Sequence, residues 1–316
     1  MCFNSQRTEK FTTMTHSVIQ LDDTCVRAVC ALPSHSQSPR YLVGGSCSLS
    51  TVVHKDGDVS IESIRKVDEP VWKLNTLVDP DRVLVTSARG ASHAVTILSL
   101  IDESLTTEIT SATFVSAVET FSDTIAVVTP EDINIFSGTK QELSIPNPQG
   151  GALAFLSESV IASNSSRCLR LLDLRACKPV TEKRSAHLFE ISAISADTSD
   201  RIVTGCQEGL LKFWDARNLH APLLTLSGGH NHWVTALRLN PASSRYCLSA
   251  GTDCCVNLWQ TPSLMTASRL PMDGIVEGGK NVHADSVYDI CWSGPGSFAS
   301  VSFDGTVAAW SVALEI

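Results

Sequence analysis

Three sets of hydroxyl, histidine and carboxylate recur in the last third of the chain, and such sets can activate a nucleophile. His187, Thr204 and Glu208 form the first; His230, Ser249 and Asp253 the second; His283, Ser300 and Asp304 the third. An imidazole that takes a hydroxyl proton, oriented by a carboxylate, is the arrangement of acyl-transfer hydrolases. His230 and His232, two positions apart, raise a second possibility, a metal. The surroundings argue against both. No Gly-x-Ser-x-Gly elbow encloses any of the serines and no oxyanion hole is evident. No third ligand stands near the histidine pair. The Gly228-Gly229 and Gly278-Gly279 pairs are not phosphate-binding fingerprints. The expectation is therefore no catalytic site, no metal and no cofactor.

The regularity of the sets suggests architecture instead. Each is followed by a tryptophan (Trp214, Trp259, Trp310), with the hydroxyl ten residues and the acid six residues before it. The histidine leads the hydroxyl by 17, 19 and 17 residues. A repeat with a period of roughly 40–50 residues points to a solenoid, propeller or array. Within each copy a short alternating strand ends at the tryptophan, as in Leu210–Trp214 or Val256–Trp259. A tight turn carrying the acid precedes it, and another strand precedes the turn. A further apolar strand follows each histidine: Ile191–Ala196, Val234–Leu239, Val287–Trp292. With one strand after the tryptophan, each unit has the four strands of a propeller blade. Acid, imidazole, hydroxyl and indole N–H can then satisfy one another in a buried relay.

Blades with this His–Ser/Thr–Asp–Trp tetrad resemble those of the WD40 family, which implies an all-β, seven-bladed WD40 β-propeller. Landmarks in order sharpen the resemblance: Tyr41–Gly44, Pro70–Leu74, Leu169–Arg175, Leu211–Asn218, His230–Val234, His283–Tyr288 and Phe298–Gly305. They are similar to WD40 proteins of endosomal and Golgi traffic. That implies a non-catalytic adaptor for a multisubunit vesicle-tethering complex, cytoplasmic and peripheral at endosomes or the trans-Golgi network. In that group a long acidic insertion is expected before the last blade, whereas Pro262–Val282 here is short and mixed.

At 316 residues the chain has the length that seven blades of about 40–45 residues require. A net charge of −9 argues against nucleic-acid or anionic-membrane binding, and no apolar stretch approaches a membrane-spanning length. Its opening residues lack the apolar core of a signal peptide. Eleven cysteines, without Cys-x-x-Cys spacing, read as small core residues. Residues 1–16 are expected to be a disordered lead-in and residues 17–316 a single propeller domain. Ser17–Leu21 would close the ring against the last blade. Blade three would begin at Phe114–Val118, and a long turn, Ser87–Ser92, would interrupt blade two. The first four blades lack the tetrad: Phe136 and Leu172 stand at the tryptophan position of blades three and four.

Two surface features could bind partners. Trp72, Phe189, Trp233, Asp285 and Tyr288 fall near the starts of first strands, where blades converge on the narrow face. Trp233 is the expected exposed anchor, whereas Trp72 and Tyr288 can equally pack between blades. Asp173-Leu174-Arg175 and Asp215-Ala216-Arg217 end third strands in consecutive blades. They read either as contacts within a blade or, by resemblance to substrate receptors of cullin-4 ubiquitin ligases, as a dock for the ligase's propeller adaptor.

Overall fold

The computed structural model describes residues 14–314, apart from residues 24, 34–37, 80, 91, 102–103, 112, 261–274 and 280–281. Its strands form seven antiparallel four-stranded sheets, six of them simple meanders in chain order. Blade one runs from Val26–Leu32 through Arg40–Gly45 and Ser48–Lys55 to Asp58–Lys66. The next two blades start with Val71–Thr76 and Ala117–Phe121, the following three with Leu153–Ser157, Ile191–Ala196 and Val234–Leu239. The seventh is built from Val287–Gly294, Ser297–Ser302 and Thr306–Val312, and takes its outer strand from the other end of the chain, Met14–Gln20. That strand pairs antiparallel with Thr306–Val312 from Met14↔Val312 to Gln20↔Thr306, so the ring is closed by backbone hydrogen bonds. No helix among the described residues is long and apolar enough to cross a membrane.

Three expectations about boundaries shift. The closing strand starts at Met14, so residues 14–16 are ordered in the sheet rather than part of a lead-in, because they find partners on the last strand. Residues 1–13, and most of Pro262–Val282, lie outside the described residues. The turn in blade two is short: Ser87–Arg89 pair with Ser92–Ala94, extending both strands. In blade three Phe114 and Val115 precede the first strand, which begins only at Ala117.

The core is divided among the seams between blades. Seven apolar clusters each join two consecutive blades, including one that joins blade seven to blade one through Val26, Val29, Ala299 and Val301. Strands buried on both faces explain the near-continuous apolar runs of the second strands: Arg201–Cys206 and Tyr246–Gly251 are buried at every residue. Turn chemistry follows local need. Asp56 and Gly57 both adopt positive φ, 54° and 83°, as a two-residue hairpin with right-handed strand twist requires. Gly305, at φ 83°, also touches the chain that brings in the closing strand: a Cβ there would lie 2.5 Å from the Asp23 carbonyl.

Candidate functional site

Blade six contains the relay complete. His230 Nδ1 lies 2.9 Å from Asp253 Oδ1, its Nε2 2.6 Å from Ser249 Oγ, and Trp259 Nε1 donates to that hydroxyl at 2.7 Å. Asp253 also accepts from the backbone N–H of Asn231 at 2.9 Å. Burial alone would raise the Asp253 carboxyl, but the histidine and these N–H groups hold it below the usual range. In blade seven the order changes. His283 Nε2 and Trp310 Nε1 meet Ser300 Oγ at 2.7 and 2.8 Å, but His283 Nδ1 reaches Thr306 Oγ1 (2.7 Å), which donates to Asp304 Oδ1 (2.5 Å). Thr306, not anticipated from the sequence, is thus the fifth member. Blade five lacks the acid. His187 Nε2 and Trp214 Nε1 meet Thr204 Oγ1 at 2.7 and 2.9 Å, while Glu208 is exposed and His187 Nδ1 is buried without a hydrogen-bond partner. Burial, reinforced by the Lys212 ammonium, pushes the His187 pKa down to about 3. Burial likewise pushes His283 down to about 4.

All three hydroxyl residues are fully buried, and each hydroxyl oxygen accepts an indole N–H. A substrate carbonyl therefore has no approach to them, and their geometry is that of blade pins. Among the described residues no group of three or more His, Cys, Asp or Glu is arranged to hold a metal; His232 is exposed beside the relay.

The strand register explains how four blades dispense with the relay. Each tryptophan faces a core residue of the second strand: Ile202, Cys247 or Phe298. At that place blades one to four have Val52, Leu98, Phe136 and Leu172. Two residues further along the second strand, the hydroxyl is replaced by Val43, Val85 and Val127 in blades one to three, all buried. A polar relay and an apolar filling of similar shape can be nearly equal in energy. Blade four keeps Ser163 at the hydroxyl place, held by Asn147 Nδ2 at 2.9 Å. Its neighbour Asn164 accepts from Gly151 and Ala152 N–H and donates to the Ile191 carbonyl. These asparagines have no spacing signal and were missed.

The Asp-x-Arg pair does not behave alike in its two copies. Asp215 Oδ1 and Oδ2 take the Arg217 guanidinium at 2.9 and 2.7 Å, folding it back within blade five. In blade four Asp173 accepts only the backbone N–H groups of Arg175 and Ala176, and the Arg175 side chain is exposed.

Three of the four aromatic candidates, Trp72, Trp233 and Tyr288, line a cavity of about 380 Å³ at one end of the central channel. Each blade contributes one residue to its rim: Arg27, Trp72, Ser116, Gly151, Ser192, Thr235 and Tyr288. In five blades this residue sits in a register shift of the first strand, as between Val26 and Ala28 or Val71 and Lys73. Such bulges re-aim side chains. On blades three, five and six the rim hydroxyls staple adjacent blades: Ser116 donates to the Gly150 carbonyl, Ser192 to Val234 and Thr235 to Val287. On blades seven, one and two the rim is bulky. The Arg27 guanidinium lies 4.5 Å from the Trp72 ring, 5.3 Å from Phe303 and 5.9 Å from Tyr288. Trp72 meets Phe114 edge-on at 5.3 Å, and His93 packs against both. Trp72 and Tyr288 are thus half-buried members of a ring at the mouth rather than inter-blade core. Trp233, 52% exposed, lines the same cavity. Phe189, 50% exposed, stands in the loop before blade five and does not line it. Asp285 is exposed, its carboxylate accepting the Ser286 N–H at 2.6 Å. Arg27, Phe303 and His93 were missed, although Val26-Arg27 repeats the Val71-Trp72 and Val287-Tyr288 signature.

Deeper in the channel a charged network crosses the axis. Arg238 Nη1 lies 3.7 Å from Glu119 Oε1 and Nη2 3.6 Å from Asp289 Oδ1, while Asn75 Nδ2 approaches Glu119 at 3.5 Å. Burial pushes the Glu119 carboxyl up against the opposing pull of Arg238. For Arg238, the two carboxylates outweigh burial and raise the guanidinium.

Residues 221–260 and 280–311 match the family described as WD domain, G-beta repeat. With seven four-stranded blades and His–Ser/Thr–Trp pins in three of them, the chain is a seven-bladed β-propeller that carries WD40 repeats in its last blades. Three curated relatives show what it is most usefully compared with. It is 32% identical to WD repeat-containing protein DWA2 of Arabidopsis thaliana over 52% of this chain and 49% of that protein. It is 24% identical to EARP-interacting protein 1 of Caenorhabditis elegans over 72% of this chain and 73% of that one. With EARP and GARP complex-interacting protein 1 of Homo sapiens it shares 31% identity over 30% of each. Its match thus spans about half of DWA2 and a smaller part of the human protein.

Proposed function

We propose that the protein is a non-catalytic adaptor that binds a multisubunit vesicle-tethering complex of the EARP or GARP kind, working in endosomal recycling and endosome-to-Golgi traffic. The reading places it in the cytoplasm, recruited to endosomes or the trans-Golgi network through its protein partners. The observation that carries it is the channel mouth, where half-exposed Trp233 lines the same cavity as the Trp72–Phe114 pair. Large aromatic side chains around a desolvated pocket are what interface hot spots are made of. The names of two relatives supply the class of partner.

The test is affinity capture of the tagged chain with mass spectrometry, wild type beside Trp233→Ala. Wild type should capture tethering subunits, and Trp233→Ala should lose roughly 2 kcal/mol of affinity in a binding titration while melting unchanged. Capture without any tethering subunit would overturn the reading. A second reading, a cullin-4 substrate receptor, draws on Arg175, whose side chain is left exposed at the end of blade four. Under it, the paired Arg175→Ala and Arg217→Ala variant loses cullin-adaptor co-purification with melting nearly unchanged. Retained co-purification discards it.

A further inference from the structure

We propose that the channel mouth is a carboxylate-binding site. The Arg27 guanidinium receives one Asp or Glu side chain of an extended partner segment, and an apolar neighbour of that acid packs on Trp72 and Phe114. The inference deepens the adaptor reading by giving the chemistry of the bound segment.

Arg27 is held but not neutralised. Its guanidinium is flanked by Trp72, Phe303 and Tyr288 at 4.5, 5.3 and 5.9 Å, which fixes its plane. Of its five N–H donors, Nε–H goes to Cys25 Sγ at 3.1 Å, a weak acceptor, and among the described residues Arg27 forms no salt bridge. Every other charge lining the cavity has a counter-charge near it. Arg238 lies between Glu119 and Asp289, and Lys73 acts on Glu119. Lys73 and Arg238 against Glu119 and Asp289 cancel, leaving Arg27 as the one unmatched charge of the cavity. In a chain of net charge −9 this is a local reversal of sign, and it selects an anion. One unmatched cation, with two carboxylates deeper in the channel, suits a single negative charge rather than a dianionic phosphate. The planar fork of the guanidinium fits a carboxylate edge. Phe114, 42% exposed and edge-on to Trp72, offers apolar surface for the residue next to the acid, and Trp233 lines the same cavity.

The probe is a random heptapeptide display library selected on the full chain, followed by fluorescence titration of the synthesised lead peptide. Selected peptides should share an Asp or Glu next to a large apolar residue. Replacing that acid by its amide, or making Arg27→Gln, should each weaken binding roughly tenfold or more. Arg27→Lys should retain part of it, since charge stays while the fork is lost. Should Arg27→Gln fail to fold, Arg27→Lys and the loss of wild-type affinity with added salt still decide the matter. The proposal is overturned by selection without a binder, by acid-free winners, by unchanged affinity in Arg27→Gln, or by phosphoserine outperforming the acid more than tenfold. Acidic peptides on Arg27 without capture of tethering subunits would leave this site standing and sink the adaptor reading. Capture that survives Arg27→Gln, with no acid preference, would do the reverse.

Discussion

His283 and Glu208 are both members of the polar sets read from spacing, one the histidine of blade seven and one the acid of blade five, yet their removal should differ. His283→Ala leaves Ser300 and Thr306 without a shared partner inside blade seven. A buried hydroxyl stripped of its partner costs about 1–3 kcal/mol, which denaturant melting should register in full. Glu208→Ala removes an exposed side chain that does not reach His187, and should lie within about 0.5 kcal/mol of wild type. A loss equal to that of His283→Ala would mean the acid does close the relay in blade five. Thr306→Val tests the inserted link directly: stability should fall by about 1 kcal/mol, because Asp304 and His283 lose their bridge.

At the scale of the strand and the blade, protonation and ring closure are the two levers. His187 and His283 have folded-state pKa values of about 3 and about 4, below the unfolded value near 6.5. The unfolded chain therefore binds more protons between those limits, and stability rises with pH there. Stability is fully present above pH 6.5 and is lost as pH falls toward 4, at up to about 1.4 kcal/mol per pH unit for each group. Melting between pH 7.5 and 4.5 should show this slope, and His283→Gln should reduce it; a flat profile would mean neither imidazole is buried as described. The closing strand Met14–Gln20 is the second lever. Deleting residues 1–20 exposes the edge of Thr306–Val312, an unpaired template for another chain. The truncated protein should melt lower and associate with rising concentration in sedimentation.

The whole ring is held by contacts that no single blade contains. Arg238 from blade six engages Glu119 of blade three and Asp289 of blade seven, and Asn75 of blade two joins them across the channel. Arg238→Leu should destabilise by about 2 kcal/mol, because it strips Asp289 of its counter-charge and leaves Glu119 with Lys73 alone. Arg238→Leu with Glu119→Leu should recover much of that loss. A double-mutant cycle measures the coupling; strictly additive effects would mean the channel charges act independently. The paired variant keeps the net charge of the cavity lining, so it should keep peptide affinity while shifting stability.

The C-terminal blades were legible from sequence because a buried polar relay demands particular atoms at particular registers. His230, Ser249, Asp253 and Trp259 can be read by spacing alone, and so can the hairpins that bring them together. Local periodicity likewise marked the strand Met14–Gln20 from Ser17 onward, and the apolar residues at the tryptophan position in Phe136 and Leu172. Apolar substitutes have no such grammar, since Val43, Val85 and Val127 look like any strand residue until register sets them opposite the neighbouring strand. The members Thr306, Asn147 and Asn164 depended on which side chain reached first, a matter of ångströms. The mouth and the channel network were beyond the sequence for a different reason. Arg27, Trp72, Phe303 and Tyr288 are brought together only when the last blade meets the first, and Glu119 faces Arg238 only across a closed ring. Spacing along the chain determines what a blade is made of; the closure of the ring decides which residues of different blades share one site.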